Sequence, residues 1–286
     1  MSAPRIAIAT CTGHADLKVD DDLLREALKA RGAEAVAVVW DEEGIDWRDF
    51  DLCLVRSTWD YHEKHAEFLD WAQRVEAVTA LRNPADLIAW NSDKTYLREL
   101  AGQGIRTVPT VWVERGSSAD LEAILAEQGW DEAVVKPVVD LGAKNLRRVR
   151  AGGAQEALVA VLARQEAMAQ PFLPSLEAEG ELSLIYVEGS FSHAVRKRPA
   201  PGDFRVQSIW GGTMAPAEPE PSHVDLAERA LAQLDEAPLY ARVDLVNDLN
   251  DEPRLIELEL IEPNLYLTTD PTAAARLADA VMAQLS

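Results

Sequence analysis

Cysteine is scarce in this 286-residue chain: Cys11 and Cys53 are the only two, too few for a disulfide framework and compatible with a reducing compartment. There is no charged-then-apolar leader, and no apolar run approaches the roughly 20 residues of a spanning helix. A cytoplasmic location is therefore expected. Basic residues are the second shortage. Lys+Arg number 28 against 49 Asp+Glu, a formal charge of −21, which repels phosphate backbones and anionic lipid at long range. Nucleic acid and membrane surfaces are thus excluded as partners, and an anionic substrate needs a locally basic pocket. Histidine is the third shortage, with five. No Ser/His/Asp or Cys/His/Asn set is spaced for nucleophilic catalysis, so Cys11 is expected to be a small core or loop residue and His193 a structural or surface one.

What is present is ample apolar material, 48% of residues, enough for about two domains. RIAIA, AVAVVW and DLCLV read as short strands. Between and after them lie two amphipathic helices, DDDLLREALKARG, with Asp20 to Asp22 as the expected N-cap and Gly32 closing it, and EFLDWAQRVEAV. Strand alternating with helix predicts a doubly wound α/β unit with a parallel sheet over about the first 85 residues. Ligands of such sheets lie beyond the carboxyl ends of the strands. Arg56 is expected there as a fork on a substrate carboxylate, with Ser57 or Thr58 hydrogen-bonding beside it. Trp59 and Tyr61 are expected to pack under the following helix.

The densest chemistry lies in residues 240–267, YARVDLVNDLNDEPRLIELELIEPNLYL. YARVDLV and RLIELEL flank a polar segment, the pattern of a hairpin. A loop symmetric about Asn250 and Asp251 sets Asp244 opposite Glu257, with Arg242 and Glu259 on the same face. Two carboxylates about 4 Å apart repel by roughly 4 kcal/mol at an effective dielectric near 20, and oxygen-only ligands suit Mg²⁺. A solvated sheet face accounts for the spacing equally well, and both readings stay open. Two lysines also ask for anions. Lys94 is expected in the first turn of a helix capped by Asn91 or Ser92 and ended by Gly102 and Gly104, where the dipole disfavours a cation. Lys136 stands in the apolar run AVVKPVV, where an unpaired ammonium is costly. A strand in VPTVWV and helices in DLEAILAEQG and AQEALVAVLARQEA surround it.

WNSDK, AVVKP, AQPFLP, EGELS, the RKRP strand with its GDFR loop and GG, and RVDLV followed by LIELELIEP occur in this order from Trp90 to Pro263. In that order they resemble the ATP-grasp superfamily, in a layout similar to glutathione synthetase. With RSTWDY, FLDW and HAVRKRPAPGDFR, the whole chain is similar to the group around the cycloserine-forming O-ureido-serine cyclo-ligase. One departure is the phosphate-covering loop, VVDLGAKNLRRV, which holds a single glycine. The resemblance implies an α/β ATP-grasp fold divided into residues 1–89, 90–168 and 169–286. It implies that Lys94 and Lys136 hold nucleotide phosphates, that Gln170, Pro171, Phe172 and Leu173 receive adenine, and that Glu177 or Glu181 takes the ribose. Lys197 matches a basic residue beside the phosphates, where Arg is more usual, and Arg205 matches the arginine on the transferring phosphoryl. Asp244, Glu257 and Glu259 match metal ligands, with Glu259 where the family often has Asn. ATP and Mg²⁺, two ions with Mn²⁺ as a substitute, are the implied cofactors. The implied partners are a small amino-acid-like carboxylate and an amine-like nucleophile, with a homo-oligomer compatible. An ADP-forming carboxylate–amine or cyclising ligase is the first expectation, a non-catalytic ATP-binding sensor the second. A metal-dependent hydrolase comes third, because histidine is missing around the acidic cluster.

Overall fold

In the computed structural model, residues 3–152 and 155–285 are described. The chain opens with β1 (Arg5–Thr10), α1 (Val19–Lys29), β2 (Glu34–Val39), β3 (Leu52–Ser57), α2 (His65–Glu76), β4 (Ala80–Arg82) and α3 (Ala85–Asn91). The four strands form a parallel sheet in the order β2-β1-β3-β4. Alternate residues face opposite ways. Ile6, Leu52 and Leu54 pack with Leu24 and Leu28 of α1, while Ala7, Ala9, Cys53 and Val55 pack with Phe68 and Trp71 of α2. That two-sided burial is the doubly wound arrangement expected from the strand–helix alternation. Asp20 to Asp22 do not cap α1. Lys18 holds the N-cap position and the aspartates fill the first turn, with Asp20 and Asp21 buried.

The helix expected to start at Asn91 or Ser92 starts later, which leaves Lys94 ahead of its first turn. Ser92 is the C-cap of α3, and α4 (Tyr96–Gly102) starts from Thr95. Asn91 is diverted from capping: its amide donates to Leu258 O (2.8 Å) and accepts from Leu260 N (2.8 Å). Then come β5 (Val111–Val113), α5 (Leu121–Gln128), β6 (Glu132–Pro137), β7 (Arg147–Arg150), α6 (Gln155–Leu162) and β8 (Ala167–Pro171). Ala154, expected to begin α6, lies outside the described residues, and the segment after Leu162 leads into β8. The strands make an antiparallel sheet, β5-β8-β6-β7, whose Ala133, Val135, Ala167 and Ala169 pack against α5 and α6.

The remainder comprises α7 (Ser175–Ala178), β9 (Glu181–Val187), β10 (Ser190–Arg198), β11 (Thr213–Pro216), α8 (Pro221–Leu231), β12 (Tyr240–Asn247), β13 (Pro253–Glu259) and α9 (Ala273–Ala283). It forms a five-stranded antiparallel sheet, β11-β10-β9-β12-β13. Leu182, Leu184, Tyr186, Ala241, Val243, Leu245 and Leu258 face α4 and α8. α9 packs against α1 on the side of Ile185, Val195 and Tyr240. Gly180 precedes β9 at φ +88°, and a Cβ there would lie 2.0 Å from Lys197 O. Gly180→Ala is therefore expected to destabilise the fold by at least about 2 kcal/mol. The urea midpoint reads this, and an unchanged midpoint would contradict the close approach of the two strands.

Candidate active site

The side chains opposite the α4/α8 core make the site. On β12 they are Arg242 and Asp244, on β13 Glu257 and Glu259, on β9 Glu181 and Ser183, and on β10 Lys197. The register sets Asp244 opposite Glu257 and Arg242 opposite Glu259, as the symmetric hairpin predicts. Across the sheet, Asp244 lies beside Ser183 and Lys197 beside Glu181. A bulge after Asp244 skips Ile256, so Leu255 and Leu258 both reach the core while the two glutamates keep the polar face. Facing them are Val134, Lys136 and Gln170, on the side of the smaller sheet turned away from α5 and α6. A cavity of about 590 Å³ separates the two faces.

The acidic patch carries more positive charge than the hairpin alone supplies. Arg242 spans Asp244 (2.8 Å) and Glu259, Lys197 spans Glu181 and Asp244 (3.3 Å), and Lys94 reaches Glu257 (3.1 Å) and Asp140 O (2.7 Å). Burial opposes the charge on Asp244, but Arg242 and Lys197 outweigh it and hold the carboxyl well below its usual range. Burial likewise opposes the charge on Lys94, and Glu257 and Asp140 overcome it. Lys94 thus finds its anion on β13 rather than through a helix end. Lys136 is different: 5% exposed, it has no hydrogen bond or ion pair among the described residues, and burial lowers its pKa against the pull of Glu257. Facing the cavity, it is the ammonium best placed to gain from an incoming anion.

Asp244, Glu257 and Glu259 each bring an oxygen within 4.8 Å of the others. Glu257 and Glu259 remain 30% and 25% exposed, so their outer oxygens are open to the cavity. Three hard oxygen donors fit a divalent cation of the Mg²⁺ type. A second, apolar recess of about 70 Å³ adjoins the cavity and is lined by Val108, Gln170, Pro171, Phe172, Leu173 and Ile256 among others. Gln170 is held there by its amide donating to Thr110 Oγ1 (2.9 Å). The loop after β6 closes one side. In it Asp140 accepts from Asn145 Nδ2 (2.6 Å) while its other oxygen is buried without a partner, and Gly142 O accepts from Trp210 Nε1 (3.0 Å).

Several expected positions fall elsewhere. Arg56, Ser57 and Thr58 are buried and do not line the cavity. Arg56 continues the Leu52/Leu54 face toward α1, where it pairs with Asp21 (2.9 Å), donates to Pro263 O (2.8 Å) and lies over the Tyr240 ring. Its expected carboxylate is therefore supplied from within the chain. Glu177 pairs with Arg148 (2.6 Å) outside the cavity, whereas Glu181 lines it. Arg205 borders the apolar recess, where it is forked onto Asp203 (2.6 and 3.0 Å) and stacked on Trp210 (3.5 Å). His193 is structural, its imidazole joined to Leu265 O (2.9 Å), and Cys11 is buried in the N-terminal core. Conversely, His14, Trp59, Tyr61, Asp140 and Glu262 line the cavity. Of the two aromatics expected only to pack, Tyr61 does both, since it also stacks on Phe68 of α2 (4.8 Å), whereas Trp59 lines the cavity beside His14 and donates to Glu262 O.

Residues 6–83 match the family "D-cycloserine synthetase DcsG, N-terminal domain", and residues 102–264 match "Prokaryotic glutathione synthetase, ATP-grasp domain". The cycloserine biosynthesis protein DcsG of Streptomyces lavendulae is 32% identical over 97% of this chain and 98% of its own. A glutathione synthetase of Prochlorococcus marinus is 30% identical over 98% and 88%. The crystal structure of D-cycloserine synthetase DcsG superposes with a TM-score of 0.88 at 31% identity, covering 99% of this chain and 100% of that one. D-alanine–D-alanine ligase from Bacillus anthracis shares the fold, with a TM-score of 0.74 at 13% identity over 100% and 97%. The described residues contain no helix long and apolar enough to cross a membrane. With a family match over most of the chain and full-length relatives at this identity, the chain belongs to the ATP-grasp family of ligases, enzymes that use ATP and a divalent metal.

Proposed function

We propose that the chain activates a small amino-acid-like carboxylate as an acyl phosphate at the expense of ATP and passes the acyl group to an amine-like nitrogen. The observation that carries this is the pairing, across one cavity, of the unpartnered Lys136 with the three-carboxylate face of the hairpin. A substrate carboxylate oxygen attacks the γ-phosphorus as the bond to the β,γ-bridging oxygen breaks, releasing ADP. The nitrogen then attacks the acyl carbon, the carbon–oxygen bond to phosphate breaks, and the displaced proton leaves with phosphate or solvent. Such transfer demands positioning and charge stabilisation rather than a side-chain nucleophile, and no triad is needed. Lys136 and Lys94 supply cationic contacts for the phosphates. Gln170 to Leu173 offer an apolar seat for adenine, with Glu181 beside it for the ribose. Lys197 holds Asp244 and Glu181 in place. Asp244, Glu257 and Glu259 would hold Mg²⁺, two ions or Mn²⁺ in substitution, which neutralises phosphate charge when bound. The likeness to the DcsG proteins over the whole chain favours ring closure within one substrate, of the O-ureido-serine type.

The test is a screen of amino-acid and hydroxylamine-like carboxylates for ADP release. ADP is expected only when both ATP and a cognate carboxylate are present. ATP binding without substrate-dependent ADP would instead favour a sensor.

A further inference from the structure

Glu262 is a buried carboxyl that the mechanism above leaves unused. It is 5% exposed and lines the cavity, yet among the described residues nothing donates a hydrogen bond to its carboxylate and nothing forms an ion pair with it. The nearby cations Lys94 and Arg242 are committed to Glu257 and to Asp244 and Glu259. Burial, reinforced by Glu259, pushes the Glu262 carboxyl well above its usual range. An acid that gains no partner in the folded chain has every reason to accept one from a ligand.

The surroundings say which partner. Trp59 Nε1 donates to the Glu262 carbonyl (3.0 Å), which pins the indole beside it. His14 meets that indole edge to face at 4.7 Å, and Tyr61 lines the same cavity, close enough to Glu262 to feel its charge. Aromatic walls around one carboxylate attract a compact organic cation. A divalent metal is disfavoured at this point because Glu262 is not among the acids that converge on one another, and a lone carboxylate offers too few oxygens. This lining comes from the N-terminal unit and the segment after β13, and none of His14, Trp59, Tyr61 and Glu262 borders the recess of Gln170 and Phe172.

We infer that Glu262, walled by Trp59 and Tyr61, anchors the ammonium group of the substrate and thereby selects amino acids over plain carboxylic acids. The inference rests on the ligase reading for the identity of the cavity. Glu262 orients the substrate so that its carboxylate faces the Lys94/Glu257 end.

The experiment is calorimetric binding to the whole protein saturated with Mg²⁺ and a non-hydrolysable ATP analogue. The probes are matched pairs: serine with 3-hydroxypropanoate, alanine with propanoate, and O-ureidoserine with its deaminated counterpart, both enantiomers where they exist. Wild type is expected to prefer the amino member of a binding pair by on the order of 10- to 100-fold. Glu262→Gln is expected to erase that preference while leaving the affinity for the deaminated member and for the ATP analogue unchanged, and Glu262→Asp to retain part of it. Equal affinities in wild type, a preference that survives in Glu262→Gln, no binding by any pair, or loss of ATP-analogue binding in Glu262→Gln would each overturn the anchor. ADP release separates this from the ligase proposal. An amino preference without any ADP release refutes the ligase and keeps the anchor, whereas ADP release that ignores the amino group does the reverse.

Discussion

Replacing Glu257 by Gln is expected to cut substrate-dependent ADP release by about 10²- to 10³-fold and to raise the Mg²⁺ concentration needed for half-maximal turnover. Glu257 is one of three oxygens within 4.8 Å of one another, and its exposed edge opens on the cavity. Gln keeps the volume and one carbonyl oxygen but removes the charge that a hard cation requires. Reasoning from the hairpin alone, three carboxylates against one guanidinium should repel, and the substitution should leave the apo protein as stable or more so. The structure reverses that sign. Lys94, 11% exposed, depends on Glu257 for its ion pair, so the variant leaves an ammonium under-compensated and should lose about 1 to 2 kcal/mol. A Mg²⁺ titration of turnover together with metal-free urea unfolding checks both parts. If the hairpin is merely a solvated face, neither turnover nor Mg²⁺ dependence will move.

Arg56→Ala should instead strike stability, by about 3 to 5 kcal/mol, the loss typical of removing one partner from a buried ion pair. Asp21 would keep Ser57 but lose the guanidinium, and Pro263 O would lose its donor. Arg56→Lys should recover the charge but not the fork that joins α1 to the segment after β13, and should fall between. Removing both members of the pair, with Arg56→Met and Asp21→Asn, should cost less than Arg56→Ala, because Asp21 is then not left as a buried charge without its guanidinium, although the neighbouring buried Asp20 still loses the attraction of Arg56. Denaturant unfolding of the four proteins decides this. A variant of normal stability with a raised substrate KM would restore Arg56 to substrate binding.

Residue patterns revealed the elements whose periodicity is strict. Period-two alternation and a symmetric loop were enough to pair Asp244 with Glu257 and Arg242 with Glu259, and the strand–helix alternation was enough for the parallel N-terminal sheet. What stayed hidden were partners distant in the chain. The parity of Leu52, Leu54 and Arg56 was visible, but its consequence depended on Asp21, 35 residues earlier, which looks like a helix cap. Asn91 likewise looks like a cap and is instead bonded to Leu258 and Leu260 across more than 160 residues. Lys94 and Lys197 could be matched to phosphate-holding positions, yet nothing local told that they also neutralise Glu257 and Asp244. Glu262 follows the end of β13 in irregular chain, where no alternation marks which way a side chain points. Its proximity to Glu259 was the one signal available.

The proposed reaction passes through an acyl phosphate, and oxygen transfer tests that intermediate directly. A cognate substrate labelled with ¹⁸O in both carboxylate oxygens should hand one labelled oxygen to the released phosphate in each turnover, because the carbon–oxygen bond that breaks in the second step leaves that oxygen on phosphorus. Phosphate free of label, with ADP still released, would mean that water rather than the substrate carboxylate takes the phosphoryl group and would contradict the proposed reaction.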